Sequence, residues 1–195
     1  MKLRVLSFAF TLVASISVLA SAQGFSKTIR ILQLNVYGRD TNTCEARMRA
    51  IAKHVLKAVP AYDIVAFNEN WNPTFDPTNR ACDGALLPRL IAADPRYQDK
   101  GDDIRSILHL PRGDVYEASG GNTLFSLHPI REAYENRFAN SGKIPISGYA
   151  QARIEISPGV FFSYWNVHLE SGVDGCDDDC RLEQLTDLAS LAVGW

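Results

Sequence analysis

The segment from Gly148 to His168 constrains the fold most strongly, because it contains two consecutive alternating runs. In the first run, small or apolar side chains occupy every second position: Ala150, Ala152, Ile154 and Ile156. The sequence Ser157-Pro158-Gly159 then predicts a turn, and Val160 to His168 predicts a second strand. Two such strands joined by a tight turn form an antiparallel hairpin, so the sheet that contains them is not purely parallel.

Before this hairpin, predicted strands and helices are interleaved. Residues 28–37 and 63–67 predict buried strands. Between them, a helix follows a capping segment at 41–43, and Pro60 marks its end. The apolar side chains of this helix recur at helical spacing: Met48, Ile51, Val55 and Leu56. This order predicts an α/β protein whose mixed sheet carries helices on the outside.

The remaining segments complete the predicted elements of one domain. Residues 86–91 predict a short helix, whereas residues 100–119 are polar and predict irregular structure. Two strands are predicted at 122–127 and 130–138, separated by His128-Pro129. An amphipathic helix near the end of the chain is predicted from four residues that share one face: Leu182, Leu185, Leu188 and Ala192.

The amino terminus is typical of a secretory signal peptide. Lys2 and Arg4 precede an apolar run, and Ala20-Ser21-Ala22 fits a cleavage site of small residues. The apolar run is short and interrupted for a membrane anchor, which is the alternative. We therefore expect residues 1–22 to be removed, residues 23–195 to form the domain, and the protein to be secreted.

Charge and cysteine content narrow the class of protein further. The chain has 20 Lys and Arg against 22 Asp and Glu, and no basic stripe, so nucleic acid is the less favoured partner. Four cysteines in an exported chain predict two disulfide bonds, with three possible pairings. They are Cys44, Cys82, Cys176 and Cys180, whose spacing does not match a zinc site.

Asn35 and Glu69 are candidate metal ligands, because each lies at the carboxyl end of an apolar strand. Ligands of open α/β sheets gather at such strand ends. If the two strands are neighbours, an amide and a carboxylate converge, and oxygen ligands of this kind suit Mg²⁺. The alternative is that both residues simply terminate their strands.

His168 is the third candidate. Alternation places Phe162, Tyr164, Asn166 and His168 on one face of the predicted strand, with the histidine at its end. Such a residue can bind phosphate or donate a proton, or it can be a core histidine satisfied by a backbone carbonyl.

Other polar residues have simpler interpretations. The pair Gly120-Gly121 predicts a turn, with a close backbone approach as the alternative. Three other histidines are predicted to be structural or solvated: His54, His109 and His128. The acidic run 177–179 suits a helix amino terminus better than a Ca²⁺ site.

Seven segments in order resemble the endonuclease/exonuclease/phosphatase superfamily, and most nearly its secreted neutral sphingomyelinase branch. They are LNVYG (34–38), RMRAIAKHVL (47–56), YDIVAFNENW (62–71), GGNTLFSLHPI (120–130), SGYAQARIEI (147–156), WNVHLES (165–171) and CRLEQLTDL (180–188). The resemblance implies a DNase I-like four-layer α/β/β/α sandwich with a site for Mg²⁺ or another divalent cation. Glu69 would be the metal ligand with Asn35 beside it, and His168 would contact the scissile phosphate.

The implied substrate is a phosphodiester, with a membrane phospholipid as one candidate and no obligate protein partner. The alternatives are a nuclease or another phosphoesterase of the same superfamily, or a non-catalytic half-domain that serves as a binding module. The family's later Gly-Asp-x-Asn and Asp-His motifs are absent, and the pairs Gly101-Asp102 and Gly113-Asp114 do not replace them. We therefore expect the amino-terminal portion of a truncated family domain, inactive on its own.

Overall fold

The computed structural model describes residues 11–20, 25–36, 43–70, 83, 85–108, 121–138, 147–169 and 178–192. Within these ranges, three helices and seven strands follow one another in a mixed order. They are β1 (Thr11–Ala20), β2 (Phe25–Asn35), α1 (Cys44–Lys57), β3 (Ile64–Asn68), α2 (Leu86–Ala92), β4 (Ile104–Leu108), β5 (Thr123–Arg137), β6 (Gly148–Ser157), β7 (Val160–His168) and α3 (Asp178–Ala192).

The strands form one sheet in the order β1-β2-β3-β5-β6-β7, and β4 also pairs with β5. Strands β2 and β3 are parallel and are connected through α1, whereas the other pairs are antiparallel. A parallel pair needs a crossover connection of this kind, while β6 and β7 need only a tight turn. The predicted α/β class, the mixed sheet and the hairpin are therefore confirmed.

Strand β5 divides the sheet into two layers, because its two halves have different partners. Its first half pairs with β3 and β4, and its second half pairs with β6 from Ile130 to Arg137. An apolar core unites the layers, and its buried members come from β2, β3, β5, β6 and β7. They are Ile29, Ile31, Ile64, Ala66, Leu124, Ile130, Ala152, Ile154, Ile156 and Tyr164.

A second core lies between the first layer and helices α1 and α2. Its fully buried members include Phe67 and Phe125 from the sheet, Met48 from α1 and Ile91 from α2. The hydroxyl of Tyr97 donates to the carbonyl of Tyr62 across 2.9 Å. Burial raises the pKa of Tyr97 to about 12, so this phenol stays protonated and keeps its hydrogen bond at neutral pH.

Helix α3 lies beside the outer face of the second layer. Nε2 of Gln184 donates to Oγ of Ser147, directly before β6, at 3.4 Å, and Leu191 lines a cavity together with Tyr149 and Gln151 of β6. This arrangement gives the four-layer α/β/β/α order that the resemblance implied. The predicted helix is confirmed, but its leucines are not packed as an amphipathic pattern suggests. Leu182 is 63% exposed and Leu185 is 48% exposed, and the one buried residue that α3 has is Gln184.

Two boundary predictions are wrong. Residues 104–108, predicted to be irregular, form β4, because backbone pairing with β5 holds a segment whose apolar residues do not alternate with polar ones. The two strands predicted on either side of His128-Pro129 are one strand, β5. Strand β5 changes partners between Ser126, which pairs with β3, and Ile130, which pairs with β6. Pro129 lies in this gap, so its missing N–H removes no hydrogen bond from the sheet.

Residues 11–20 of the predicted signal peptide form β1, which pairs with β2 along its whole length. The expected cleavage site at Ala22 lies outside the described residues. Removal of residues 1–22 would therefore take away β1 and leave β2 at the edge of the sheet. In the part of the chain that the structure describes, no helix is both long and apolar enough to cross a membrane.

The described cysteines, Cys44 and Cys180, are both disulfide-bonded. Cys44 is the first residue of α1 and Cys180 lies in the first turn of α3. The other two cysteines, Cys82 and Cys176, lie outside the described residues.

A polar cluster anchors the amino end of β3. Asp63 receives a hydrogen bond from the backbone N–H of Arg30 at 2.9 Å and lies 2.8 Å from Nε2 of His128. Burial lowers the pKa of His128, although the hydrogen bond to Asp63 opposes that shift, and Lys27 and Arg105 add to the lowering. His128 is thus structural, as predicted, and neutral when buried.

This cluster predicts a specific pH dependence of stability. Because the folded-state pKa of His128 lies below its ordinary value of 6.5, the unfolded chain takes up the proton first as pH falls. As pH falls below 6.5, the free energy of unfolding of the wild type should therefore decrease, and that of His128→Gln should decrease less. Urea unfolding at neutral and mildly acidic pH would measure this, with exposed His54→Gln as control. Equal pH dependence in His128→Gln and the wild type would contradict this account.

Candidate active site

The parallel pairing of β2 and β3 brings their carboxyl ends together. Asn35 is the register partner of Asn68, the last residue of β3, and Glu69 follows directly. The backbone N–H of Val36 donates to the carbonyl of Asn68 at 3.0 Å and extends the pairing by one residue. Two neighbouring strand ends therefore deliver the side chains of Asn35 and Glu69 to one edge of the sheet.

Three residues predicted from the sequence meet at this edge. The amide Nδ2 of Asn35 donates to Oε1 of Glu69 across 2.8 Å. Nε2 of His168, at the end of β7, lies 3.4 Å from the same carboxylate oxygen. The side chains of His168 and Glu69 are 14% and 19% exposed, so both are mostly buried but still accessible to solvent. The structure thus brings the three side chains together, and their chemical roles stay predictions.

The backbone of Glu69 has an unusual conformation with φ of 55°. Residues other than glycine seldom occupy this left-handed region, and such strain is concentrated at functional sites. Gly121 packs directly against it: a Cβ on Gly121 would lie 2.6 Å from the backbone nitrogen of Asn70 and 3.1 Å from Cα of Glu69. The close approach that was the alternative interpretation of Gly120-Gly121 is therefore present at Gly121.

Beneath these residues, three buried asparagines form a hydrogen-bonded network. Nδ2 of Asn68 lies 2.5 Å from Oδ1 of Asn122 and 2.9 Å from Oδ1 of Asn166, and both oxygens accept from it. In return, Nδ2 of Asn166 donates to the carbonyl of Phe67 at 2.9 Å. Since β3 and β7 are not paired in the sheet, these bonds connect the two layers directly. Buried polar groups that are satisfied in this way fix a single arrangement of their neighbours.

The network continues along the inner face of the sheet. Nε2 of Gln33 donates to Oδ1 of Asn68 at 3.4 Å, and the hydroxyl of Tyr164 donates to Oε1 of Gln33 at 3.0 Å. Burial raises the pKa of Tyr164, which keeps the phenol protonated as a donor. Tyr164, Asn166 and His168 lie on one face of β7, as alternation predicted.

Asn70 completes the edge. Its Nδ2 donates to Oγ1 of Thr123 at 3.1 Å, and its backbone N–H donates to the carbonyl of Gly121 at 3.1 Å. Its Oδ1 is buried without a hydrogen-bond partner in the structure. An acceptor left unsatisfied in this way costs free energy, so Asn70 adds to the strain at this edge.

The donor chemistry of this edge fits a hard cation. Glu69 supplies a carboxylate, and Asn35 supplies an amide that contacts it. Mg²⁺ is commonly held by one or two carboxylates, with water and substrate oxygens completing the octahedron. Among the residues that the structure describes, no group of three or more His, Cys, Asp or Glu could hold a metal ion. A largely hydrated Mg²⁺ held through Glu69 would fit this donor set.

The other candidates lie elsewhere or outside the description. His54 is exposed on α1, where Nε2 lies 3.1 Å from the hydroxyl of Tyr62, and His128 is at the opposite end of β3. His109 and Asp177 fall outside the described residues. Sequence reasoning missed the structural role of Asn122 and Gln33, although Asn122, like Asn35, is an amide beside the end of an apolar strand.

The contact between Gly121 and Glu69 predicts a strong local effect of Gly121→Ala. The new methyl group would meet backbone atoms, and φ of 64° would be strained for alanine. We expect a loss of about 2–4 kcal/mol in the free energy of unfolding, measured by urea denaturation. Gly101→Ala is the matched control, because φ there is 60° but nothing lies within 4 Å of the added Cβ. Equal losses in the two variants would show that close approach to Glu69 is unimportant.

No family model matches the sequence, and no curated protein matches it. Two solved structures of TDP2 from Caenorhabditis elegans are similar, with TM-scores of 0.53 and 0.54 and identities of 20% and 19%. They cover 83% and 84% of this chain, which spans 40% of each TDP2 chain. Similarity at this level shows a shared fold, the DNase I-like α/β sandwich.

Proposed function

We propose that this protein is a divalent-metal-dependent phosphodiester hydrolase of the endonuclease/exonuclease/phosphatase superfamily. The observation that carries the proposal is that Asn35, Glu69 and His168 meet at one edge of the sheet. Nδ2 of Asn35 lies 2.8 Å from Oε1 of Glu69, and Nε2 of His168 lies 3.4 Å from the same oxygen. The similarity to TDP2, a tyrosyl-DNA phosphodiesterase with this fold, supports the same class of reaction.

Each residue has a distinct task in this proposal. Glu69 would hold the metal, and Asn35 fixes the carboxylate through its 2.8 Å hydrogen bond. A bound Mg²⁺ would neutralise charge on the phosphoryl group. His168, next to the same carboxylate, would donate a hydrogen bond to a phosphate oxygen when it is protonated. We assign no general base to the described residues.

The substrate class we favour is a nucleic-acid phosphodiester. The sequence resemblance suggested a sphingomyelinase-type phospholipid substrate, whereas the structural similarity is to TDP2, a tyrosyl-DNA phosphodiesterase. The formal net charge of −2 is not that of a protein that grips long duplexes through many phosphates. A short or single-stranded substrate end, held by the metal and His168, needs fewer basic contacts.

Export from the cell is the second part of the proposal. It rests on the basic and apolar amino terminus and on the disulfide bonds of Cys44 and Cys180, which form in oxidising compartments. Amino-terminal sequencing of the mature protein tests it, with a start at Gln23 as the expected result.

Metal binding is the first test of the site, because it does not depend on turnover. Mn²⁺ titration followed by electron paramagnetic resonance should give one site in the wild type. Glu69→Gln should weaken that site by more than the roughly 10–100-fold typical of a supporting residue. Glu155→Gln is the matched control, since Glu155 is at the opposite end of the hairpin and pairs with Arg131. Unchanged Mn²⁺ affinity in Glu69→Gln would exclude Glu69 as a ligand.

Hydrolysis assays then test the reaction and the substrate. Three probes separate the possibilities: bis(p-nitrophenyl) phosphate, a single-stranded DNA oligonucleotide and sphingomyelin vesicles. In the complete family domain we expect Mg²⁺-dependent cleavage of the first two, and His168→Ala should lower it by roughly 10²–10⁴-fold. Exposed His54→Ala should have no such effect. Cleavage of vesicles alone would overturn the nucleic-acid assignment, and metal binding without any cleavage would favour a binding module.

A further inference from the structure

Gln184 is the one residue of α3 that is buried, and it is polar. It is 0% exposed, whereas Leu182 and Leu185 on the same helix are 63% and 48% exposed. A buried amide costs free energy unless it is hydrogen-bonded, and a leucine at this position would carry no such cost. The contacts of this amide therefore indicate what α3 does for the rest of the molecule.

The amide of Gln184 joins the first turns of α3 to the start of β6. Its Nε2 donates to Oγ of Ser147 at 3.4 Å, and Ser147 is itself 0% exposed. The same nitrogen lies 3.7 Å from Sγ of Cys180, four residues earlier in the helix, and Cys180 is disulfide-bonded. The amide is thus held between a buried hydroxyl and a sulfur that is covalently bonded to a second cysteine.

The hydroxyl that Gln184 contacts lies next to the strand position opposite His168. Ser147 directly precedes Gly148, which is the first residue of β6 and the register partner of His168 in β7. The carbonyl of Gly148 accepts from Nδ2 of Asn122 at 3.3 Å, and Asn122 belongs to the asparagine network beneath the candidate site. The segment opposite His168 is therefore fixed at two consecutive residues, by the network at Gly148 and by α3 at Ser147.

The attachment at Ser147 matters because His168 lies at the end of its ladder. Strand β7 ends at His168 and β6 begins at Gly148, so within the described residues no further pair of these strands follows. The ends of elements open most easily, and a side chain that acts on a substrate needs supporting contacts to fix its position. We infer that Gln184 is a positioning residue for His168, acting through Ser147 and Gly148. The inference rests on the proposed function for the role of His168 itself.

Nuclear magnetic resonance of the four imidazoles tests this without metal or turnover. The full chain would be labelled at histidine, and the His168 signal would be assigned by its absence in His168→Gln. We expect that signal to shift or broaden in Gln184→Leu, which replaces the amide donor by an apolar side chain of similar size. The signals of His54, on α1, and His128, at the opposite end of β3, should keep their wild-type positions and show that the variant is folded.

Ser147→Ala removes the acceptor and leaves α3 intact, so it decides the question even if Gln184→Leu does not fold. It should also move the His168 signal. Gln98→Leu and Ser163→Ala make the same chemical changes at exposed positions, the second on β7 itself, and should leave that signal unchanged. Failure of the wild type to bind Mn²⁺ would count against the proposed function alone, because the imidazole signal does not depend on the metal. A wild-type His168 signal in Ser147→Ala, or in folded Gln184→Leu, would overturn the inference.

Discussion

The hydrogen bonds of Asn68 are the interaction on which the rest of this structure depends. Asn68 ends the central strand β3, and its side chain is 5% exposed. It donates to Asn122, directly before β5, and to Asn166 of β7. A buried amide without partners would destabilise the fold, so the three strand ends must stay in register with one another. The two layers of the sheet are thereby held together at the edge that carries the candidate site.

The geometry of the site follows from that connection. Because Asn166 is fixed against β3, the alternation of β7 places His168 on the same face, next to Glu69. Glu69 itself leaves the strand with a positive φ, and the absence of a side chain at Gly121 allows the neighbouring backbone to approach it. The strained backbone of Glu69 and the hydrogen bond from Asn35 fix the position of the carboxylate, so the charge that we propose binds a metal needs no reorganisation.

Much of the fold could be predicted because its strongest local patterns agree with the tertiary structure. The hairpin, the helix after residue 43 and the convergence of Asn35 with Glu69 follow from alternation, helical spacing and strand order. The rest depends on partners distant in sequence: β4 is a strand only through pairing with β5, and Pro129 is tolerated because β5 changes partners there. Likewise, helical spacing gives α3 an apolar stripe but cannot reveal that Leu182 and Leu185 are left exposed. The chemical roles of the site residues and the disulfide partners cannot be derived from local patterns at all.

A double-mutant cycle tests most directly whether Asn68 and Asn166 join the layers as described. The free energy of unfolding would be measured by urea denaturation for the wild type, Asn68→Ala, Asn166→Ala and the double variant. Since the two amides share a buried hydrogen bond of 2.9 Å, the account predicts a coupling energy of about 1–3 kcal/mol. Losses that add to within about 0.5 kcal/mol would contradict it, because independent sites behave in that way.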